Sequence, residues 1–232
     1  MSPEELHLPV IFNVGAVFFF ALTGALTARR IGYDFIGVFV LAFVTGLGGG
    51  LIRDSLLRGS GPVLALTDER FLLAVVLATL CGLVRISARI ENFNRVVAVL
   101  DAVGLAAFAV VGTNQALRTQ LHWLAAVFVG VATAVGGGVL RDVLIRIDPL
   151  IFKPGQFYAL AALFGACLYA GLIVGFHVPG LPAAIWATSA TVAFRVLAIV
   201  FNWKTRPVEA SLEGVGNHPR DDKHNERQAG NP

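Results

Sequence analysis

Long apolar stretches, separated by short polar connections, occupy most of the chain up to about residue 203. Most of them approach or exceed the roughly 17–25 apolar residues that a transmembrane helix needs. The third stretch is short, but the internal repeat described below gives it a full-length counterpart. The pattern predicts an all-α membrane protein with seven transmembrane helices, at Leu8–Ala28, Phe35–Ile52, Phe71–Val84, Val96–Leu117, Trp123–Leu140, Phe157–Phe176 and Leu181–Trp203.

Charged side chains make up only 14% of the 232 residues and apolar ones 56%, whereas about a quarter of the residues in a soluble domain are charged. Basic residues also favour one side of the predicted membrane. Near the span ends, and leaving aside the two Arg-Asp pairs discussed below, nine basic residues lie in the odd-numbered loops and directly after the seventh span: Arg29, Arg30, Arg85, Arg89, Arg95, Arg146, Lys153, Lys204 and Arg206. The even-numbered loops contain three, Arg58, Arg70 and Arg118. By the positive-inside rule the N-terminus lies outside and the C-terminus in the cytoplasm. We expect a multi-pass protein of a bacterial inner membrane, without a nucleic-acid partner.

The two halves of the chain resemble each other when one is shifted by 88 residues along the other. Each copy contains three predicted spans, which is an odd number, so the second copy enters the membrane from the opposite side. Such inverted repeats are common in transporters, where sites form near the midplane between matching helices. The matching positions are Phe20 and Phe108, Gly48–Gly50 and Gly136–Gly138, Arg53 and Arg141, and Asp54 and Asp142.

The repeat divides the chain into five predicted segments. An extracytoplasmic N-terminal segment precedes two repeats of three helices, the second of which is inverted. A seventh helix follows, and a polar, glycine- and proline-containing tail after it is expected to be disordered in the cytoplasm. The predicted bounds are 1–7, 8–90, 91–178, 179–206 and 207–232.

Three consecutive glycines lie inside the second predicted span and three inside the fifth. Each glycine costs a helix about 1 kcal/mol relative to alanine, so the triplets are expected to bend or break both helices beside an aqueous path. The alternative is close packing, because small residues let helices approach each other without a break. The six candidate pore and kink residues are Gly48, Gly49, Gly50, Gly136, Gly137 and Gly138.

An arginine and an aspartate follow each triplet, and ionisable residues inside a membrane are functional candidates by default. Sequence neighbours point to different sides of a helix, so we expect pairing across the repeats, Arg53 with Asp142 and Arg141 with Asp54. These four residues are the candidate pore and gating charges. The alternative is that both arginines reach out to lipid headgroups.

Other polar residues within the spans are weaker candidates. Thr45 and Thr133 each precede a triplet, and either line an ion path or bond to their own helix backbone. Asp101, which the repeat matches with Asn13, either lines the cavity, caps a neighbouring helix or lies near the cytoplasmic interface. Asn114 and Arg195 are expected at the membrane interfaces.

Sequence motifs of enzymes are absent: the chain contains no P-loop, no nucleophile elbow and no HExxH sequence. No spacing of histidines or cysteines indicates a metal site. We therefore expect neither an enzyme nor a bound cofactor.

With seven spans, a three-plus-three inverted repeat, and "GGGLIRD" and "GGGVLRD" in spans two and five, the chain resembles the bacterial trimeric intracellular cation (TRIC) channels. The same bacterial domain is also described as a glycine transporter domain. The resemblance implies a homotrimer with a pore in each subunit, lined by kinked second and fifth helices, and lipid bound at the surface. It also implies permeation by monovalent cations, chiefly potassium, with sodium as a second candidate.

Two classes of function compete on the residues alone. A channel and a secondary transporter of a small amino acid such as glycine both use inverted repeats and interrupted helices. A structural membrane scaffold is a third class. The family resemblance favours the channel.

Overall fold

The computed structural model describes residues 6, 8–57, 67–84, 93–153, 157–201 and 203. These residues form seven α-helices and no β-strand, which confirms the predicted all-α fold. The tail predicted to be disordered and most of the N-terminal segment lie outside the described residues. The helices are α1 (Val10–Arg30), α2 (Phe35–Leu56), α3 (Glu69–Leu83), α4 (Phe93–Arg118), α5 (Trp123–Leu144), α6 (Tyr158–Ala170, continued by a π-helical turn at Gly171–Gly175) and α7 (Gly180–Val200).

Six of the described helices, counting α6 with its π-helical turn, are long and apolar enough to cross a membrane, and α3 is the exception. Its 15 residues extend about 22 Å at 1.5 Å per residue, less than the hydrocarbon core of about 30 Å. Arg29 of α1 binds the C-terminal end of α3. Its side chain donates hydrogen bonds to the backbone oxygens of Gly82 (3.0 Å) and Val84 (2.7 Å). Such contacts satisfy the free carbonyls at a helix C-terminus.

Four helices, α1, α2, α4 and α5, form the centre of the bundle. Helix α1 packs against α2 and α4, and α5 packs against the same two helices. Helix α3 covers α1 and α2, α6 covers α4 and α5, and α7 lies on α4 and α6. At the α1–α4 contact the fully buried rings of Phe20 and Phe108 stack with centroids 5.3 Å apart.

Helices α2 and α5 are antiparallel and meet at their glycine triplets. A methyl group added to Gly49 would overlap the backbone oxygen of Thr133, and one added to Gly137 would overlap that of Thr45. The two contacts are related by the same shift of 88 residues. The reciprocal contacts agree with a pseudo-two-fold relation between the halves.

Both helices remain α-helical through all three glycines. The triplets therefore do not break them, and the close-packing alternative describes this contact. The backbone contact and the intact helical hydrogen bonds together outweigh the low helix propensity of glycine, about 1 kcal/mol per residue. A bend without a break stays a prediction.

Alanine substitutions test the role of the crossing. Gly49→Ala and Gly137→Ala are each expected to destabilise the protein by about 2 kcal/mol, since overpacking a tight contact typically costs 1–3 kcal/mol. Gly50→Ala is the control, because its added methyl group would meet only a side-chain nitrogen of Arg53 at 3.9 Å. It should be neutral or slightly stabilising. Unfolding free energies in detergent give the comparison, and equal stability of the three variants would contradict a packing role.

Candidate functional site

The crossing of α2 and α5 separates the two candidate arginines. Arg53 lies four residues beyond Gly49, and Arg141 lies four residues beyond Gly137. Because the helices are antiparallel, these offsets of about 6 Å each run in opposite directions. The arginines therefore lie about 12 Å apart along the bundle, on opposite sides of the crossing. The predicted pairing of each arginine with the other repeat's aspartate is wrong.

Each arginine instead binds the aspartate that follows it. Arg53 Nε donates to Asp54 Oδ1 at 2.7 Å, and Arg141 Nε donates to Asp142 Oδ1 at 2.9 Å. The sequence argument considered only the directions of the Cβ atoms, and a long arginine side chain can fold back to its neighbour. Both arginines are buried in the bundle, 2% and 5% exposed, so neither extends outward to headgroups.

Arg141 has additional partners on two other helices. Its Nη1 donates to Asp101 Oδ1 on α4 at 3.0 Å and to Thr23 Oγ1 on α1 at 3.2 Å. Asp142 in turn accepts a hydrogen bond from the backbone N–H of Leu150 at 3.2 Å. One buried guanidinium is thus held by two carboxylates and a hydroxyl, an arrangement in which every strong partner is itself buried.

Tyr158 and Arg195 complete this group. The Arg195 guanidinium carbon lies over the Tyr158 ring, 5.3 Å from its centroid, a distance at which a cation is attracted to the ring. Arg195 is only 4% exposed, so its predicted interfacial position is wrong. The Tyr158 hydroxyl is packed against Gly138. We call these six residues the inner cluster: Thr23, Asp101, Arg141, Asp142, Tyr158 and Arg195.

The inner cluster lies at a cavity of about 760 Å³. The cavity is bounded by the C-terminal ends of α1, α5 and α7 and by the N-terminal end of α4. Asp101, Arg141 and Arg195 line it one to two turns inside these ends, and Arg30 and Arg95 line it at them. Asp101 therefore lines the cavity, which is one of the alternatives predicted for it. It also binds Arg141, which was not predicted.

The opposite side of the crossing has different chemistry. A smaller cavity of about 150 Å³ is lined by Asn13, Asn114 and Gln115, with Asp68 and Arg118 beside them. Asn114 is buried rather than interfacial, and its side-chain oxygen accepts a hydrogen bond from the Tyr169 hydroxyl at 2.8 Å. Amides thus occupy the side where the repeat would place a counterpart of Asp101.

A septum of packed residues separates the two cavities, which share no lining residue. It consists of the glycine triplets together with the Phe20–Phe108 pair. A methyl group on Gly49 would lie 3.4 Å from the Phe108 ring, and one on Gly137 would lie 3.7 Å from the Phe20 ring. The glycine backbones and the two aromatic rings are therefore close neighbours in this layer.

Thr45 and Thr133 lie within this layer and are fully buried. Each hydroxyl donates to the backbone oxygen four residues earlier, Leu41 or Val129, at 2.6 Å. Of the two predicted alternatives, the structure has the bond to the helix's own backbone. The hydroxyls also pack against Gly24 and Gly112 of the neighbouring helices.

Sequence reasoning missed three members of the inner cluster because the repeat does not contain them. The shift of 88 residues pairs Thr23 with Val111 and Tyr158 with Arg70, while Arg195 belongs to the unrepeated seventh helix. One sequence signal for the site was available, namely an ionisable residue at a position where the two halves differ. Asp101, which the repeat aligns with Asn13, is such a residue, and it was already among the candidates.

Known proteins resemble this chain over most of its length. The family model described as "Glycine transporter" matches it twice, over residues 10–86 and 98–173. The UPF0126 inner membrane protein YadS of Escherichia coli strain K12 is 37% identical over 185 residues, which is 80% of this chain and 88% of that protein.

Two solved structures align closely with the fold. The TRIC trimeric intracellular cation channel orthologue from Rhodobacter sphaeroides aligns with a TM-score of 0.74 and 35% identity, over 83% of this chain and 97% of its own. A second structure, reported as the structural basis for conductance through TRIC cation channels, aligns with a TM-score of 0.74 and 36% identity. The alignment covers 88% of this chain and 100% of that one.

The Arg141–Asp101 pair can be tested by its contribution to stability. Asp101→Asn is expected to cost about 3 kcal/mol, because it removes one partner of a buried ion pair. Asp68→Asn is the control, since its ion pair with Arg70 is longer (3.6 Å) and largely exposed and should contribute less than about 1 kcal/mol.

A double-mutant cycle of Asp101→Asn with Arg141→Gln should give a coupling of about 1 kcal/mol or more. Unfolding free energies in detergent supply all the values. If Asp101→Asn costs no more than Asp68→Asn, the pair does not hold the helices together.

Proposed function

The chain belongs to the TRIC family, and from that premise we propose that it is a monovalent cation channel, permeable chiefly to potassium, with one pore in each subunit of a homotrimer. It is a multi-pass inner membrane protein of the channel and transport class rather than an enzyme. The observation that carries the proposal is the cavity that enters the bundle at the inner cluster, whose central ion pairs involve Arg141 and Asp142 of α5. That helix is one of the two that cross at the glycines.

The proposed ion path runs along α2 and α5. It enters at the larger cavity, passes the inner cluster and the septum, and leaves through the smaller, amide-lined cavity. We take the described arrangement as the closed state of this path, because the two cavities share no lining residue and the septum lies between them. Opening therefore requires α2 and α5 to move relative to each other at the glycine contact.

Arginines beside a cation path look unfavourable, because like charges repel. In the inner cluster the two positive charges of Arg141 and Arg195 are balanced by those of Asp101 and Asp142. A cation at the end of the cavity therefore faces a neutral group whose carboxylate oxygens are nearby. The arginines then hold helices in place without excluding cations.

Positive-inside asymmetry orients the proposed pore. The larger cavity faces the cytoplasm, the N-terminus lies outside and the C-terminus inside. Large apolar side chains cover the outer surface of the described helices, among them Phe128 and Trp186, which are 66% and 70% exposed. Lipid and the neighbouring subunits of the trimer are the proposed partners of this surface.

Planar-bilayer recording of the purified protein under a potassium chloride gradient tests the proposal. We expect discrete unitary currents that reverse near the potassium potential. The double variant Arg53→Ala, Arg141→Ala should show altered gating, because it leaves the buried aspartates without their arginines. A well-folded protein that carries no current at any voltage, in several lipid compositions, would contradict the channel.

A secondary transporter of a small amino acid such as glycine is the alternative, and the description of the matching family model favours it. An arginine and an aspartate at one cavity are also the groups that bind the carboxylate and ammonium ends of an amino acid. Uptake of labelled glycine into proteoliposomes separates the two functions. For a channel we expect no saturable uptake above that of empty liposomes, whereas saturable, ion-coupled uptake without unitary currents would replace the channel by the transporter.

A further inference from the structure

Arg195 is a buried cation with one unpaired hydrogen-bond donor. Its Nε atom is buried and has no hydrogen-bond partner among the described residues. Burying such a donor without a partner is costly, and a case in a folded protein calls for an explanation. The residue lines the same cavity as Asp101 and Arg141, so a hydrogen-bond partner for it would have to come from that cavity.

Tyr158 and Asp101 are the groups that act on Arg195. The Arg195 guanidinium carbon lies 5.3 Å from the centroid of the Tyr158 ring, and the oppositely charged carboxylate of Asp101 lines the same cavity. The Oδ1 atom of Asp101, however, is bound by Arg141 at 3.0 Å. Two arginines thus face one carboxylate, and only Arg141 is hydrogen-bonded to it.

The three charged residues are carried by different helices. Asp101 belongs to α4 and Arg195 to α7, and these two helices pack against each other. Arg141 belongs to α5, one of the two helices that must move at the glycine crossing. Helix α5 packs against α4 as well, so the exchange requires α5 to move relative to α4 while α4 and α7 keep their contact. Such a movement would take Arg141 away from Asp101 and leave Asp101 facing Arg195, which lines the same cavity.

Without a second partner such a movement would be strongly opposed, because it would leave the buried carboxylate of Asp101 unpaired. We propose that Arg195 is that second partner, and that opening exchanges the Arg141–Asp101 bond for an Arg195–Asp101 bond. This inference rests on the proposed channel function. Arg195 acts as a positioning residue: it stabilises the open arrangement of Asp101 and does not itself select ions.

Single-channel recording of Arg195→Gln tests the exchange. The variant keeps Arg141 on Asp101 in the closed state but leaves Asp101 unpaired in the open state. Its open probability should fall about tenfold or more, while its unitary conductance stays within about twofold of the wild type. Arg195→Lys, which retains the positive charge, should restore most of the open probability.

Arg30→Gln is the matched control. Arg30 lines the same cavity, but its guanidinium is bonded to the side-chain oxygen of Asn94 and lies over the Phe93 ring. Arg30→Gln removes one positive charge from the cavity, as Arg195→Gln does. The open probability of the Arg30→Gln channel should nevertheless stay within about twofold of the wild type. An effect of Arg195→Gln no larger than that of Arg30→Gln would overturn the exchange.

The second test repeats the Arg195→Gln recording in a channel that already contains Asp101→Asn. With no carboxylate to exchange, adding Arg195→Gln should change the open probability by less than about twofold. A full loss in this background would overturn the inference, because Arg195 would then act without Asp101.

Two further results distinguish failure of the channel proposal from failure of the proposed exchange. Absence of wild-type currents would refute the channel, whereas wild-type currents with an unaffected Arg195→Gln would refute the exchange alone. If Arg195→Gln does not fold, as judged by its unfolding transition in detergent, Arg195→Met carries the same expectation. An apolar side chain of similar size often replaces a buried charge without loss of stability.

Discussion

Backbone contact between α2 and α5 is the constraint on which the rest of the structure depends. Glycine at positions 49 and 137 lets each helix approach a backbone oxygen of the other. Because the helices are antiparallel, this contact places the two arginines on opposite sides of the septum. The glycines thus determine where the charges lie, and they do so while both helices remain intact.

The candidate site depends on residues in which the two halves differ. The duplicated glycines, arginines and aspartates make a symmetric frame, in which each arginine binds the aspartate next to it. Among the residues that the structure describes, a second carboxylate, a threonine, a tyrosine and another arginine converge on the side of Arg141. The other side has Asn13 and Asn114 at its cavity, and the Nη1 atom of Arg53 has no hydrogen-bond partner among the described residues. The proposed path would therefore have a buried ion-pair cluster at one end, and at the other a cavity lined by amides together with Asp68 and Arg118.

Much of the fold could be predicted because its causes are local. Apolar length marked the helices, although the observed bounds of α2 and α5 extend four residues beyond the predicted ends, through the arginine and aspartate of each. The repeat marked the glycines and charges as important. It could not show how they pair, because pairing depends on how far the helices are offset and on where a flexible arginine side chain folds. The same limit placed Asn114 and Arg195 at interfaces, since hydropathy reports depth along a span and not which face is buried.

The sequence by itself determined that the chain is a helical membrane protein with two related halves, because burial of apolar helices in lipid and the matching glycine and charge positions can be read residue by residue. Only the tertiary structure decided that the glycines serve a contact rather than a break, and that Asp101 belongs to Arg141. Both outcomes depend on groups far apart in the chain, on α1, α2, α4 and α5, whose distances are set by packing in three dimensions. Hydropathy and spacing contain no measure of those distances.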